Sequence, residues 1–480
     1  MWYLQTDVLL RLFIGCGAMI LISGLSRLIF KKDFGPKVLV FASIAVIAYV
    51  SWQLAIAIVC YTLITFIFAR ILKPLKKTRR FFFVLFSILC TVPFFYGRMT
   101  EFFPQLPVII TFVGIAYHML KAVDVMYFVY YTDMDIPFLT YVNYMLFFPT
   151  FTAGPIFRYR DFQKVYNKPV PLTTDRFITC VKRFIKGMFK KMVVLYFVST
   201  FFNFLVASEK HWYVSLAIVV FSYLFLFFDL SGYSDMAIGL GRMLGFDFPE
   251  NFNYPFVSAS ATEFWRRWHI SLSSWFRDYL FYPVLRSRAM NSLSRSLRAH
   301  GHKKAARAAI TVTALLCVWS ATGLWHGASW NYVLWGLYYF VLLTLEMFIQ
   351  PHLKKHLPRA VSGILAHIYF ALITVFGMAI FSSESNVFAS LGRLLGIGVC
   401  GFSNVFTEAV LREYLYLIIA ALLLSLPMIP ALRRLIYRRF GTPPAWLRAA
   451  AGTLFVIVTV AASSACLVGN TYNPFLYFRF

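Results

Sequence analysis

A chain of 480 residues is long enough for two to four soluble domains, but its composition excludes that organisation. Sixty per cent of the residues are hydrophobic, 19% are aromatic and 14% are charged, against about 25% charged in soluble proteins. So few charges cannot cover a soluble surface, and the mean hydropathy of +0.70 points the same way. The 46 Lys and Arg against 19 Asp and Glu leave a net charge of +27. A soluble protein with that charge would bind nucleic acid; in a membrane protein it marks cytoplasmic loops and anionic headgroups, so membrane lipids and not nucleic acid are the expected partners.

Cys16, Cys60, Cys90, Cys180, Cys317, Cys400 and Cys466 stand singly in apolar stretches without a CxxC pair, which suggests packing rather than disulfides or zinc. The N-terminal MWYLQTDVLLRLF carries no basic n-region, so the first segment is expected to be retained as a span. In chain order the apolar segments are 8–30, 38–50, 52–72, 81–97, 106–120, 139–153, 190–206, 213–228, 309–324, 330–349, 361–381, 412–430 and 449–468. Some are short enough to be re-entrant or interfacial, leaving about 10–12 true spans. Basic clusters at Lys31–Lys37, Lys73–Arg80, Arg286–Arg307, Lys354–Arg359 and Arg433–Arg439 punctuate them. If all face the cytoplasm, both termini lie outside. No repeat or linker divides the chain, so residues 1–480 are expected to form one membrane domain.

Two stretches are not plain spans. Residues 154–191 mix cations with aromatics, and Val181–Lys191 is expected to lie along the inner headgroups as a basic amphipathic segment. From Thr262, the residues Trp265, Trp268, Leu272, Trp275, Phe276 and Tyr279 recur at helical spacing, predicting one helix with an aromatic face. Thr262 offers a capping oxygen, and Glu263 pairs with Arg267 at i,i+4.

Ionisable groups inside apolar segments are the strongest functional pointers in a membrane protein, because their burial is costly. His326 in SATGLWHGASWNYVLWGLYYF is one, flanked by Gly323 and Gly327, which allow a bend or a close backbone approach. A neutral imidazole there can accept a proton from a hydroxyl or thiol. His269 sits among Arg266, Arg267 and Arg277 and is suited to binding a donor's phosphate or orienting a substrate. Asp229 and Asp235 read as bracing ion pairs, with Arg242 as the expected partner of Asp235. The remaining histidines, His118 and His211 among them, read as loop or edge residues. HExxH, P-loop and GxSxG motifs are absent, which leaves an acyltransferase, an unfamiliar transporter of lipid or solute, and a scaffold as competing readings.

The segments GYSDMAIGLGRMLGFDFPENFNYPF, TEFWRRWHISLSSWFRDYLF and GLWHGASWNYVLWGLYYF, with LFFPTFTAGPIFRYRDF at 146–162 and NPFLYFRF at 473–480, resemble the membrane-bound O-acyltransferase family. The similarity is to its bacterial branch of alginate O-acetylation and teichoic acid D-alanylation membrane proteins, with a motif-bearing core at about 140–350. The resemblance implies an all-α polytopic bundle of about 10–12 transmembrane helices, with re-entrant and interfacial helices, around a central funnel. It implies that His326 is catalytic, that His269 lies near the cytoplasmic funnel, and that Trp325, Asn331, Arg266, Arg267 and Asp235 serve substrate binding. It implies no bound cofactor: acetyl-CoA or an acyl carrier protein is a substrate. That carrier, acidic in character, would dock on the cytoplasmic face of a bacterial inner (cytoplasmic) membrane. The acyl group, most simply acetyl, would pass to an extracytoplasmic polysaccharide or to a secreted or membrane-anchored partner acyltransferase. The alternative is D-alanyl transfer to teichoic acid. LFFPTFTAGPI leans toward that D-alanyl branch, and after RDYLF the chain reads FYPVLRSRAMNS in place of the glycine-rich stretch of the alginate type.

Overall fold

A computed structural model describes residues 51–468, apart from 104, 108–113, 152, 169, 357, 384 and 385, together with a few positions between 40 and 48. The expected first segment at 8–30, the Lys31–Lys37 cluster and the terminal NPFLYFRF fall outside the described residues. Among the described residues there is no β-strand, and eight helices are long and apolar enough to cross a membrane. A ninth is counted if Leu415–Ser425 and Met428–Phe440, which meet at 74°, form one broken span. The chain is an all-α, multi-pass membrane protein, as hydropathy requires: in hydrocarbon only a helix satisfies its own backbone.

The helices group into two compact units. The first is drawn from the chain up to Met188 together with Gly232–Glu250. Its interior is tyrosine-rich: Tyr141, Tyr144 and Tyr159 are fully buried. Asp124 accepts hydrogen bonds from the Tyr144 hydroxyl at 2.8 Å and the Tyr159 amide at 2.6 Å. His118 is buried here, with Nδ1 2.9 Å from the Gly114 carbonyl oxygen. The second unit comprises Phe189–Ser231 and Asn251–Ala462. His211 is buried in it, 3.5 Å from Glu209. Both histidines therefore depart from the loop or edge setting expected of them.

Val181–Lys191 is likewise not a separate interfacial segment. It belongs to a run of 34 helical residues, Thr174–Ala207, with a π-helical turn at Phe189–Val194. The reason is that its cations have protein partners. In the first unit Arg183 pairs with Asp235 and Glu250, and Lys186 lies 3.9 Å from Asp235. In the second unit Lys191 forms a buried ion pair with Asp229. Arg242, the expected partner of Asp235, instead lies 3.4 Å from Asp247 and 3.9 Å from Glu250. The bracing role of the two aspartates holds; the assignment of Asp235's partner does not.

Removing one member of a buried pair strands the other charge, at a cost of about 3–5 kcal/mol, whereas replacing both with apolar groups is often neutral. Lys191→Met is therefore expected to lower the thermal midpoint of the purified protein in detergent. Adding Asp229→Leu should recover most of that loss.

Candidate active site

The site is built in the second unit around an interruption of helical geometry. Helix Ala261–Arg267 starts at Ser260, whose side chain accepts from the Glu263 amide at 3.1 Å, while the Glu263 carboxylate accepts from the Ala259 amide at 3.0 Å. This is a reciprocal cap, so Ser260 and not Thr262 holds the capping position. Thr262 is used otherwise. Its amide and hydroxyl both donate to Glu346, at 2.9 and 2.6 Å, and the Ala261 amide donates to the same carboxylate at 2.6 Å. Glu346 comes from helix Trp330–His356, is buried, and also accepts from the Tyr369 hydroxyl at 3.1 Å. The i,i+4 pair forms as expected, with Arg267 2.8 Å from Glu263.

The single helix expected from Thr262 to Tyr279 is broken at Trp268–His269. Trp268 is extended and His269 is left-handed, at φ 44° and ψ 51°, before helix Ile270–Phe276 begins. Left-handed backbone is uncommon outside glycine, although histidine is among the residues enriched there; it costs about 1–3 kcal/mol. Asn251 satisfies the groups that the break exposes. Its carbonyl accepts from the Ile270 amide at 3.0 Å, and its side-chain oxygen accepts from the Ser271 amide and hydroxyl at 3.1 and 2.9 Å. The Asn253 amide donates to the Arg267 carbonyl at 2.9 Å on the other side of the break.

The break puts the His269 imidazole among aromatic rings: Phe252 at 6.3 Å and Trp325 at 6.5 Å. The side chain is 3% exposed, and among the described residues neither ring nitrogen has a hydrogen-bond partner. Burial pulls its pKa down to about 4, so the ring is neutral at physiological pH. His326 ends helix Lys303–His326 and is half-buried. It stands edge-on to Trp325 and Trp335, each at 5.0 Å, and to Phe381 at 5.3 Å. The two imidazoles therefore flank one indole. A wall of Trp265, Trp319, Trp335 and Tyr339, with ring centroids 5.0–5.9 Å apart, continues from it.

Glycines bring His326 to this wall. A Cβ on Gly323 would lie 2.5 Å from the Tyr332 carbonyl oxygen, and one on Gly327 would lie 2.2 Å from the Tyr332 ring. The close backbone approach read from these two positions is thus present. Asn331 is buried beyond it, its Nδ2 donating to the Phe381 carbonyl at 2.8 Å while Oδ1 is unpaired.

His269, Trp325, His326 and Asn331 are thus assembled in one unit. Arg266 is exposed and Arg267 is committed to Glu263 and the Asn253 carbonyl, while Asp235 belongs to the other unit. Sequence reasoning missed Asn251 and Glu346. Glu346 carried the same signal as His326, an ionisable group in an apolar run; Asn251 carried none. Among the described residues no three His, Cys, Asp or Glu side chains converge as metal ligands.

These features define a multi-pass helical membrane protein with two buried histidines in a dry aromatic site. The chain belongs to the membrane-bound O-acyltransferase family, whose model matches residues 52–387. It is 28% identical over 402 residues to the Azotobacter vinelandii protein named "probable alginate O-acetylase AlgI", covering 77% of this chain and 75% of that one. It is 31% identical over 288 residues to the teichoic acid D-alanyltransferase of Bacillus subtilis, covering 58% and 70%. It is 29% identical over 289 residues to the peptidoglycan O-acetyltransferase of Helicobacter pylori, covering 56% of this chain and 50% of that one. Family membership makes the chain an O-acyltransferase and decides against the transporter and scaffold readings.

Two predictions follow from this geometry. A histidine whose folded pKa is depressed binds its proton more readily when unfolded, so stability falls as pH drops from about 6.5 towards about 4. His269→Asn, which tolerates left-handed backbone, should flatten that part of the thermal-midpoint profile; an unchanged slope would show that His269 is not the titrating group. Separately, Glu346→Ala leaves three donors of one helix start without their acceptor. It should lose about 2–4 kcal/mol in denaturant unfolding, with Glu346→Gln losing less.

Proposed function

We propose that His326 is the general base of an acyl transfer from a thioester to a hydroxyl, with His269 orienting the reactants. The observation that carries this reading is the pair of imidazoles on either side of Trp325, one with both nitrogens buried and unpaired. In the step, the acceptor hydroxyl oxygen attacks the thioester carbonyl carbon and its proton passes to the His326 imidazole. The C–S bond breaks, and the leaving thiolate takes the proton back from the imidazolium. The products are an oxygen ester and a free thiol. A neutral base serves this cycle without a standing charge in an apolar site, and the aromatic wall keeps water from the thioester.

The donor is acetyl-CoA or an acyl carrier protein, arriving at the cytoplasmic face of a bacterial inner membrane. Its phosphates suit the exposed Arg266, while Arg267, tied to Glu263, holds the helix that presents it. Trp325 and Asn331 line the reactants, and Asp235 takes no part in the proton transfer. The acceptor is an extracytoplasmic polysaccharide or a secreted or membrane-anchored partner acyltransferase, with both chain termini on that outer side. Acetyl is the acyl group favoured by the similarity to the Azotobacter protein; the similarity to the Bacillus protein supports D-alanyl as the second reading.

Cells carrying His326→Ala at normal expression should lose esters from the envelope polymer by a factor of about 100 or more. Alkaline release followed by chromatography separates acetate from D-alanine and identifies the acyl group. Unchanged ester content with His326→Ala would sink the proposal.

A further inference from the structure

Within the second unit, a partly open cavity of about 140 Å³ runs along helix Leu415–Ser425. Phe197, Phe201 and Phe221 line one side, and Leu417, Ala421 and Leu424 line the other, so its walls are apolar. Its lining on this helix extends from Tyr414 to Leu424, the helix's whole length. The other walls come from two of the membrane-crossing helical runs, Thr174–Ala207 and Trp212–Met243.

Just beyond Leu424 the chain turns through 74° into Met428–Phe440. That helix, MIPALRRLIYRRF, carries Arg433, Arg434, Arg438 and Arg439 and no acidic residue. All four arginines are exposed, and so are Leu432, Leu435 and Phe440. A cationic helix that also exposes leucine and phenylalanine is built for the boundary between acyl chains and headgroups.

We infer that the cavity and this helix together bind one anionic glycerophospholipid. An acyl chain lies along Leu415–Ser425 between the phenylalanines, and the arginines receive the headgroup phosphate. Guanidinium–phosphate pairs are charge-assisted and geometrically specific, and arginine clusters beside a membrane span select anionic over zwitterionic lipid. The apolar cavity favours this occupant over an acidic water-borne protein, which would engage the arginines and leave the cavity unfilled.

The test is native mass spectrometry of the purified full-length protein, offered equimolar phosphatidylglycerol and phosphatidylcholine of equal chain length. The wild-type protein should retain phosphatidylglycerol several-fold over phosphatidylcholine. Arg433→Gln with Arg434→Gln, both on exposed positions that packing does not constrain, should bring the two lipids to parity while lipid is still bound. Ala421→Leu, which narrows the cavity, should reduce retention of both lipids. Equal retention of the two lipids by the wild-type protein overturns the inference. So does an unaltered preference in the arginine variant, or undiminished lipid in Ala421→Leu. Capture of an acidic carrier protein by the arginines, with lipid retention indifferent to both variants, assigns the helix to a protein partner instead.

Discussion

A helix interrupted in an apolar surrounding leaves backbone donors and acceptors that no water will satisfy, and the site depends on how this chain supplies their partners. At Trp268–His269 the partners come from two distant stretches. Asn251 takes the donors just after the break, and Glu346, reaching from a membrane-crossing helix, takes those at the start of the preceding helix. Without these acceptors a continuous helix would be the lower-energy path, and the His269 ring would be turned elsewhere on a regular helical face. The left-handed residue is thus over-determined by its surroundings, as strained backbone at functional sites commonly is.

The same surroundings set the chemistry. A buried imidazole with both nitrogens unpaired forgoes hydrogen bonds that a structural histidine would make. The aromatic rings about it and about His326 supply bulk without charge, so both rings sit where a neutral base is favoured and a thioester is kept dry. The ion pairs elsewhere follow the converse rule: Lys191 with Asp229, and Arg183 with Asp235, are charges made tolerable by an opposite charge at contact distance. Charge is paired throughout the bracing elements and absent from the immediate neighbours of the two histidines.

Much of this was legible in the sequence. Hydropathy located the crossing helices, because a long apolar run has one stable form in hydrocarbon. The i,i+4 pair Glu263–Arg267 and the close approach at Gly323 and Gly327 are local consequences of helical spacing and of a missing Cβ. The break at His269 was hidden because Trp265, Trp268, Leu272 and Trp275 keep helical spacing across it, and no glycine or proline marks it. Local order also misled the pairing of Asp235, since Arg242 follows it on the same helix, whereas Arg183 reaches it from another. Thr262 looked like a cap because it is a hydroxyl ahead of the aromatic pattern; Ser260, two residues earlier, has the Glu three positions on that completes the reciprocal cap. Asn251 was invisible because what it satisfies is a tertiary break.

The account's central claim is that His326 and His269 act as one site. Its most direct measurement is a double-mutant cycle on acyl-transfer rate, using the purified protein in nanodiscs with a thioester donor and a hydroxyl acceptor. Residues that work as a unit are non-additive, so His326→Ala, His269→Asn and the double variant should all fall to nearly the same low rate. Rate losses that simply multiply, or a single variant that keeps the wild-type rate, would contradict it.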